Sequence, residues 1–177
     1  MIRLIKFIRR GWRDESGVAS VEFLFALPML MAVFTASFES GLFMTRQIML
    51  EQSLDMVMRE LRLGHYVAPD AALLKTEICS RTVIFKDCEA NLTIEMRKIS
   101  TTTFAMPATT ATCVDAEEEV QPVVVLQTGQ QNDLMIVRAC IRLTAMFPTT
   151  GVGLGLNKDS TGAYGIIATS AYSNEPT

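Results

Sequence analysis

Apolar and polar positions divide the chain into two regimes. From Val18 to Phe38 it runs for 21 residues with a single charge, Glu22. As a helix that run is roughly 31 Å long, enough to cross the hydrocarbon of a bilayer. The apolar pattern then becomes periodic instead of stopping. Phe43, Leu50 and Val57 fall seven apart, as do Leu54 and Leu61, while Glu51, Gln52, Asp55, Arg59 and Glu60 take the remaining surface. That spacing marks one face of an amphipathic helix. Gly64 supplies a C-terminal stop. The pattern predicts one helix from about Ala19 to Leu63, ~67 Å long at the α-helical rise.

Beyond Gly64 the chain changes character. Ala68-Pro69-Asp70 offers a helix start, with Ala71 to Ile78 as a short helix and Cys79 at its end. Arg81 to Lys86 reads as a short strand or an extended loop, and Asn91 to Arg97 alternates apolar and polar residues as a one-face-buried strand does. Ser100 to Glu119 is a long connection holding Thr101 to Thr103, Pro107 and the acidic run Glu117, Glu118 and Glu119. Pro122 precedes the apolar run Val123 to Leu126, a candidate strand extension, and Gly129 to Asp133 has the composition of a turn. Leu134 to Phe147 is the strongest strand, with Val137, Ala139, Ile141, Leu143, Ala145 and Phe147 on one face and Pro148 ending it. Gly151 to Gly155 reads as a flexible loop, because its glycines lack the lysine, the acidic partner and the strand-to-helix setting of a nucleotide site. Tyr164 to Tyr172 is the last strand. The expectation is an α+β fold, a long helix packed against a small antiparallel sheet of three to five strands.

Composition sharpens this. The length of 177 residues supports one modest domain plus an anchor. The 49% hydrophobic content is concentrated between Val18 and Leu63. The net charge of −3 hides a split: through Gly17 five basic residues (Arg3, Lys6, Arg9, Arg10, Arg13) meet Asp14 and Glu15, a net +3, which leaves −6 for the rest. A basic start, an apolar run and an acidic remainder form the pattern of a membrane-inserted chain with its N-terminus inside. With no basic stripe elsewhere, nucleic acid is excluded as an expected partner. A secretory signal cut near Ser37 is disfavoured by the helical pattern that continues past it.

One residue in the apolar run stands out. A carboxylate inside a membrane span costs ~2–3 kcal/mol even on lenient insertion scales, so Glu22 is expected to be kept for a partner. Gly17-Val18-Ala19-Ser20-Val21-Glu22-Phe23, with its basic leader, resembles a type IV prepilin processing site. Leu27-Pro28, Phe38-Glu39-Ser40-Gly41, Arg46-Gln47 and the amphipathic tail narrow the resemblance to the TadE-like family of the tight-adherence (Tad, or Flp) pilus machinery. The resemblance is strong over residues 17–63 and loose between 65 and 160. It implies a minor pilin or pseudopilin with a leader at 1–17, a long helix at 18–63 that is membrane-spanning over about 18–38, and an exported domain at 64–177. It further implies cleavage between Gly17 and Val18 by the prepilin peptidase, and a pairing of Glu22 with the new N-terminal amine of a neighbouring subunit, Phe23 lying beside it. The implied partners are the membrane, the prepilin peptidase, other pilins and pilus assembly proteins. The implied location is the bacterial inner membrane, single-pass, N-terminus cytoplasmic and domain periplasmic, with incorporation into a surface pilus as a further option. Pro28 removes one helical hydrogen bond and can kink a membrane helix. Many members end in Arg-Asn-Glu-Pro. Here Asn174, Glu175 and Pro176 follow Ser173, so the arginine and any salt bridge it makes are missing.

Four cysteines, Cys79, Cys88, Cys113 and Cys140, all follow the apolar run. Export favours two disulfides over free thiols, and of three possible pairings Cys79–Cys88 with Cys113–Cys140 is preferred. The first closes a short loop at a helix end and the second ties the long connection to the strongest strand. The cysteine spacing fits no familiar zinc pattern, and His65 is the single histidine, so no metal and no cofactor are expected. His65 is read as a helix cap and Glu117 to Glu119 as a solvated loop. Met29, Met31, Met44, Met49, Met56 and Met58 are read as adaptable packing groups on the long helix. No catalytic constellation or small-molecule substrate site is evident. The alternative to a processed pseudopilin is an uncleaved single-pass scaffold whose exported domain binds other envelope proteins.

Overall fold

The computed structural model describes residues 18–66, 69–106, 113, 126–127, 129–149 and 151–174. The leader through Gly17, Ala68, Pro107, the acidic run Glu117 to Glu119, Val123 to Val125, Glu175 and Pro176 lie outside the described residues. The fold is α+β, a long N-terminal apolar helix joined to a small three-stranded antiparallel sheet.

Helix α1 spans Val18–Arg62, 45 residues in one piece, and continues through Pro28 without a break. It stops at a Schellman cap: Gly64 has φ 74°, its N–H donates to the Leu61 carbonyl at 3.1 Å, and the His65 N–H reaches the Glu60 carbonyl at 3.1 Å. Glycine takes that left-handed φ without the Cβ penalty that would tax other residues. Arg59 and Arg62 place positive charge in the last turn, where the helix dipole favours it.

Helix α2, Ala71–Ser80, begins at Asp70, whose carboxylate accepts the Leu73 N–H at 2.7 Å. It buries Leu74 and Ile78. Arg81, just past its end, binds Glu60 of α1 at 2.8 Å, and the Tyr66 hydroxyl donates to the same carboxylate at 2.7 Å. These two partners, Tyr66 first, hold the Glu60 carboxyl below the usual range. A loop closed by the Cys79–Cys88 disulfide leads to a one-turn helix α3, Cys88–Asn91. Residues 81–86 form no strand.

The sheet is β1 (Leu92–Ile99), β2 (Leu134–Thr144) and β3 (Ala163–Ser173), in that spatial order with β2 central and both pairings antiparallel. Its register puts Ile94 opposite Ala139 and Ala139 opposite Ala168, so one face carries Ile94, Met96, Val137, Ala139, Ile141, Ile166 and Tyr172, all buried. Against this face lie Leu50, Leu54, Val57, Met58 and Leu61 of α1 with Leu74 and Ile78 of α2, in one continuous core. Burying each such side chain stabilises the fold by about 1.5–3 kcal/mol. Burial also pushes the Tyr172 hydroxyl up to about 12. The opposite face is more polar and is covered over the central strand: Arg138 pairs with Glu95 at 2.5 Å, Arg142 with Asp159, and Cys140 bonds Cys113. Burial alone would raise the Asp159 carboxyl, but donors from Thr161, Ala163 and Arg142 outweigh it and hold the group below its ordinary value.

Several details stand beside the expectation. The strongest strand stops at Thr144 rather than Phe147, because the N–H groups of Met146 and Phe147 turn to a side chain of α1. Residues 151–155 are a helical turn, α4 (Gly151–Gly155), not a flexible loop. Two of its glycines serve close packing: a Cβ on Gly153 would overlap the Phe147 carbonyl oxygen, and one on Gly151 would sit 2.9 Å from Ala36 Cβ. Asn91 belongs to α3, and β1 runs on to Ile99. Met29, Met31, Met44 and Met56 are exposed, and of the helix methionines singled out only Met58 is fully buried. Leu126 adds a single parallel bridge to Met96 and is not a strand.

The disulfides close loops of 9 and 27 residues. Replacing Cys113 and Cys140 together by alanine is expected to lower the unfolding free energy by about 3.5 kcal/mol, and replacing Cys79 and Cys88 by about 3 kcal/mol. Urea denaturation followed by circular dichroism reads both losses, and unchanged midpoints would contradict them.

Candidate functional site

The first half of α1 stands clear of the domain. Every described side chain from Ser20 to Phe34 is exposed, among them Val21, Phe23, Leu24, Phe25, Met29, Leu30 and Val33. A free helix of this composition cannot be a solvated surface, since so large an apolar area in water marks a membrane or protein contact. It is long and apolar enough to cross a bilayer. Glu22 sits on this exposed stretch, with no partner among the described residues.

The change from exposed to buried falls at Glu39, whose side chain is 0% exposed. Its Oε2 accepts the N–H of Met146 at 3.1 Å and of Phe147 at 3.0 Å, and Oε1 accepts the Met146 N–H at 3.2 Å. Burying a carboxyl group is costly unless its oxygens find donors, and here two backbone N–H groups provide them. The arrangement serves both sides, because those N–H groups have left the β2 ladder and would otherwise lack partners.

Seven and eight residues on, the same helix face supplies two more ties. Arg46 donates through Nη1 to the Thr144 carbonyl at 3.2 Å and to the Tyr164 hydroxyl at 2.8 Å, joining α1 to β2 and β3 at once. Gln47 donates through Nε2 to the Ile167 carbonyl at 3.0 Å. Rings reinforce the seam: Phe38 meets Phe147 edge-on at 6.2 Å, and Phe43 lies 5.9 Å from Tyr164. Glu39, Arg46 and Gln47 thus form a polar collar at the top of the free half-helix. It fastens α1 to the end of the sheet.

The chain shows what it is akin to over this helix. Residues 17–59 match the family model for TadE-like protein. No curated protein and no solved structure matches the chain. The TadE-like segment runs from Gly17 almost to the end of α1, so it contains Glu22, Pro28 and the whole collar, and none of the sheet. Three residues quoted for the resemblance therefore have structural work within this chain: Glu39, Arg46 and Gln47 tie the helix to the domain by hydrogen bonds.

The remaining site residues are dispersed. Val18 opens α1, and Glu22, Phe23 and Pro28 lie along its exposed stretch, far from the cysteines. Cys79 with Cys88, and Cys113 with Cys140, are joined in pairs. Asn174 is stitched to the turn before β2: its Nδ2 donates to the Gly129 carbonyl at 2.9 Å, its N–H to the Asp133 carbonyl at 3.1 Å, and its own carbonyl accepts the Asn132 N–H at 3.0 Å. Glu175, Pro176 and Gly17 are outside the described residues. A cleft of about 620 Å³ lies beside the collar, lined by Arg46, Lys86, Asp87, Arg142, Thr144 and Thr161 among others. Among the described residues no cluster of His, Cys, Asp and Glu is arranged to hold a metal ion.

Sequence reasoning missed the role of Glu39, although a signal was present. Stepping the stripe of Phe43, Leu50 and Val57 back by one turn lands on Glu39, a carboxyl group at a position otherwise reserved for buried apolar groups. Glu39→Leu, which leaves the Met146 and Phe147 N–H groups without their acceptor, is expected to destabilise the domain by about 2–4 kcal/mol, and Glu39→Gln by roughly half as much. Chemical denaturation in detergent micelles measures both. Equal stability of all three chains would remove the collar's energetic role.

Proposed function

We propose that this protein is a minor pilin or pseudopilin of the TadE type that acts in assembly of a Tad (Flp) pilus, with a structural and not an enzymatic task. The observation that carries this reading is an exposed apolar half-helix holding one carboxylate, Glu22, that has no partner among the described residues, inside the TadE-like segment. In this reading the helix resides in the bacterial inner membrane with its basic leader in the cytoplasm and the sheet domain in the periplasm. The basic residues before Gly17 and the net −6 after it support that orientation.

The prepilin peptidase cuts after Gly17, and Val18 becomes the new N-terminus with Glu22 as its fifth residue. Glu22 then meets the terminal amine of a neighbouring subunit. Two charges that are each costly in lipid become tolerable as a hydrogen-bonded pair. A helix held to its domain by the collar is suited to this, since a rigid rod carries the position of the domain to the packing of the helices. Other pilins and pilus assembly proteins are the partners.

The mass of the N-terminal peptide from cells with and without prepilin peptidase tests the reading. A peptidase-dependent start at Val18 is expected, together with loss of assembly and intact processing in Glu22→Ala. An unprocessed N-terminus in both strains would point instead to a permanent single-pass scaffold, and normal piliation in Glu22→Ala would overturn the charge-pair role.

A further inference from the structure

We infer that residues 146–149 and 151–155 form a second membrane contact, a lipid-surface foot that seats the exported domain on the outer boundary of the bilayer that α1 crosses. The inference rests on the membrane-spanning reading of α1 given above and adds a residue-level site to it.

The geometry leaves little choice. Counted from Val18 at 1.5 Å per residue, Ala36 lies about 27 Å and Glu39 about 31 Å along the helix, against a hydrocarbon thickness of about 30 Å. The level from Ala36 to Glu39 therefore coincides with the far boundary between acyl chains and headgroups. The foot is fastened at that level. Gly151 packs so closely on Ala36 that a Cβ there would lie 2.9 Å from the alanine methyl. Phe147 stacks edge-on against Phe38, and Glu39 holds the N–H groups of Met146 and Phe147. The segment cannot rise away from the boundary while these contacts hold.

What the foot presents at that level is apolar. Leu154 is 66% exposed, and Met146, at the edge of the polar cleft beside the collar, is 58% exposed. In an aqueous setting they are two stray apolar groups. At a headgroup boundary, in a segment that packs on α1 through Phe147 against Phe38 and Gly151 against Ala36, they enter an environment that favours them. Lys158 adds a cation to the foot, its ammonium donating to the Pro148 carbonyl at 2.6 Å. Lysine at this depth is common, because the stem lies in the apolar zone while the charge reaches headgroup phosphates. The opposite end of the domain faces away. Strand β2 runs about 33 Å from Thr144, held by Arg46, back to Leu134, and the exposed Gln131 lies in the turn before it.

The test uses the full chain in lipid nanodiscs holding one copy each, with a single added cysteine at Leu154→Cys, Met146→Cys, Gln131→Cys or Phe25→Cys, labelled with an environment-sensitive fluorophore under non-reducing conditions. Labels at 154 and 146 are expected to emit to the blue of the label at 131, and to be quenched by lipids with a nitroxide near the headgroup. The label at 25 is expected to be quenched by a nitroxide deep in the acyl chain. The foot fails if 154 and 146 behave like 131 while 25 is quenched from the bilayer interior. It also fails if 154 and 146 respond only when a second copy is present, which would make the segment a protein contact. An unquenched label at 25 overturns the membrane-spanning reading itself, and the foot with it.

Discussion

The acceptance of two backbone N–H groups by the buried carboxyl group of Glu39 is the contact on which the architecture turns. It joins three features that would otherwise be independent. It ends the second strand, because the N–H groups of Met146 and Phe147 point to the helix instead of to a neighbouring strand. It marks where the long helix passes from bare to covered. It also fixes the segment that carries the glycine turn at 151–155, whose first residue packs on Ala36. A side chain with no such donors could not be wholly buried there at tolerable cost.

A single uninterrupted helix here meets two opposed demands. Its first half exposes Phe23, Leu24, Phe25 and Leu30, which water would not tolerate as a free surface, and its second half buries Leu50, Leu54 and Val57 against a sheet. Apolar packing alone would leave the junction soft, because dispersion contacts between helix and sheet are not directional. Arg46 and Gln47 add direction by reaching main-chain carbonyls and a hydroxyl on adjacent strands, at positions seven and eight residues beyond Glu39. Position along the helix is thereby coupled to the orientation of the domain. The disulfides act elsewhere, one stapling the end of the second helix to the short helix before the sheet and the other the outer face of the central strand.

The helix was legible because its signals are local and periodic: the stripe through Phe43, Leu50, Val57 and Leu61, the glycine stop at Gly64, and the Asp70 cap of the next helix all act within a few residues of themselves. Strand assignments held at their centres, and the last strand was met within one residue at each end, while the central strand stops at Thr144 and not at Phe147. The end of the central strand is set by a carboxyl group 107 residues away in sequence, which no periodicity reports. The glycine segment at 151–155 has poor helical propensity, and its helical turn rests on tertiary packing, with Gly151 close on Ala36 and Gly153 close on Phe147. The methionines are ambiguous for a related reason. An apolar, flexible residue fits a lipid-facing surface as readily as a core, and composition does not distinguish the two. Of the candidate site, Glu22 was visible as a charge out of place in an apolar run. Glu39 was hidden because it resembles an ordinary charge at the edge of one.

The most direct measurement of the central contact is amide hydrogen exchange at Met146 and Phe147 in the full chain embedded in a bilayer mimic. Both lie outside the strand ladder, yet the account predicts exchange as slow as that of the neighbouring β2 amides, with a marked acceleration in Glu39→Leu. Exchange at the rate of an open loop in the unaltered chain would mean that the Glu39 contact does not persist. In that case the helix and the domain would be joined by apolar packing alone, and the collar would not be what holds them together.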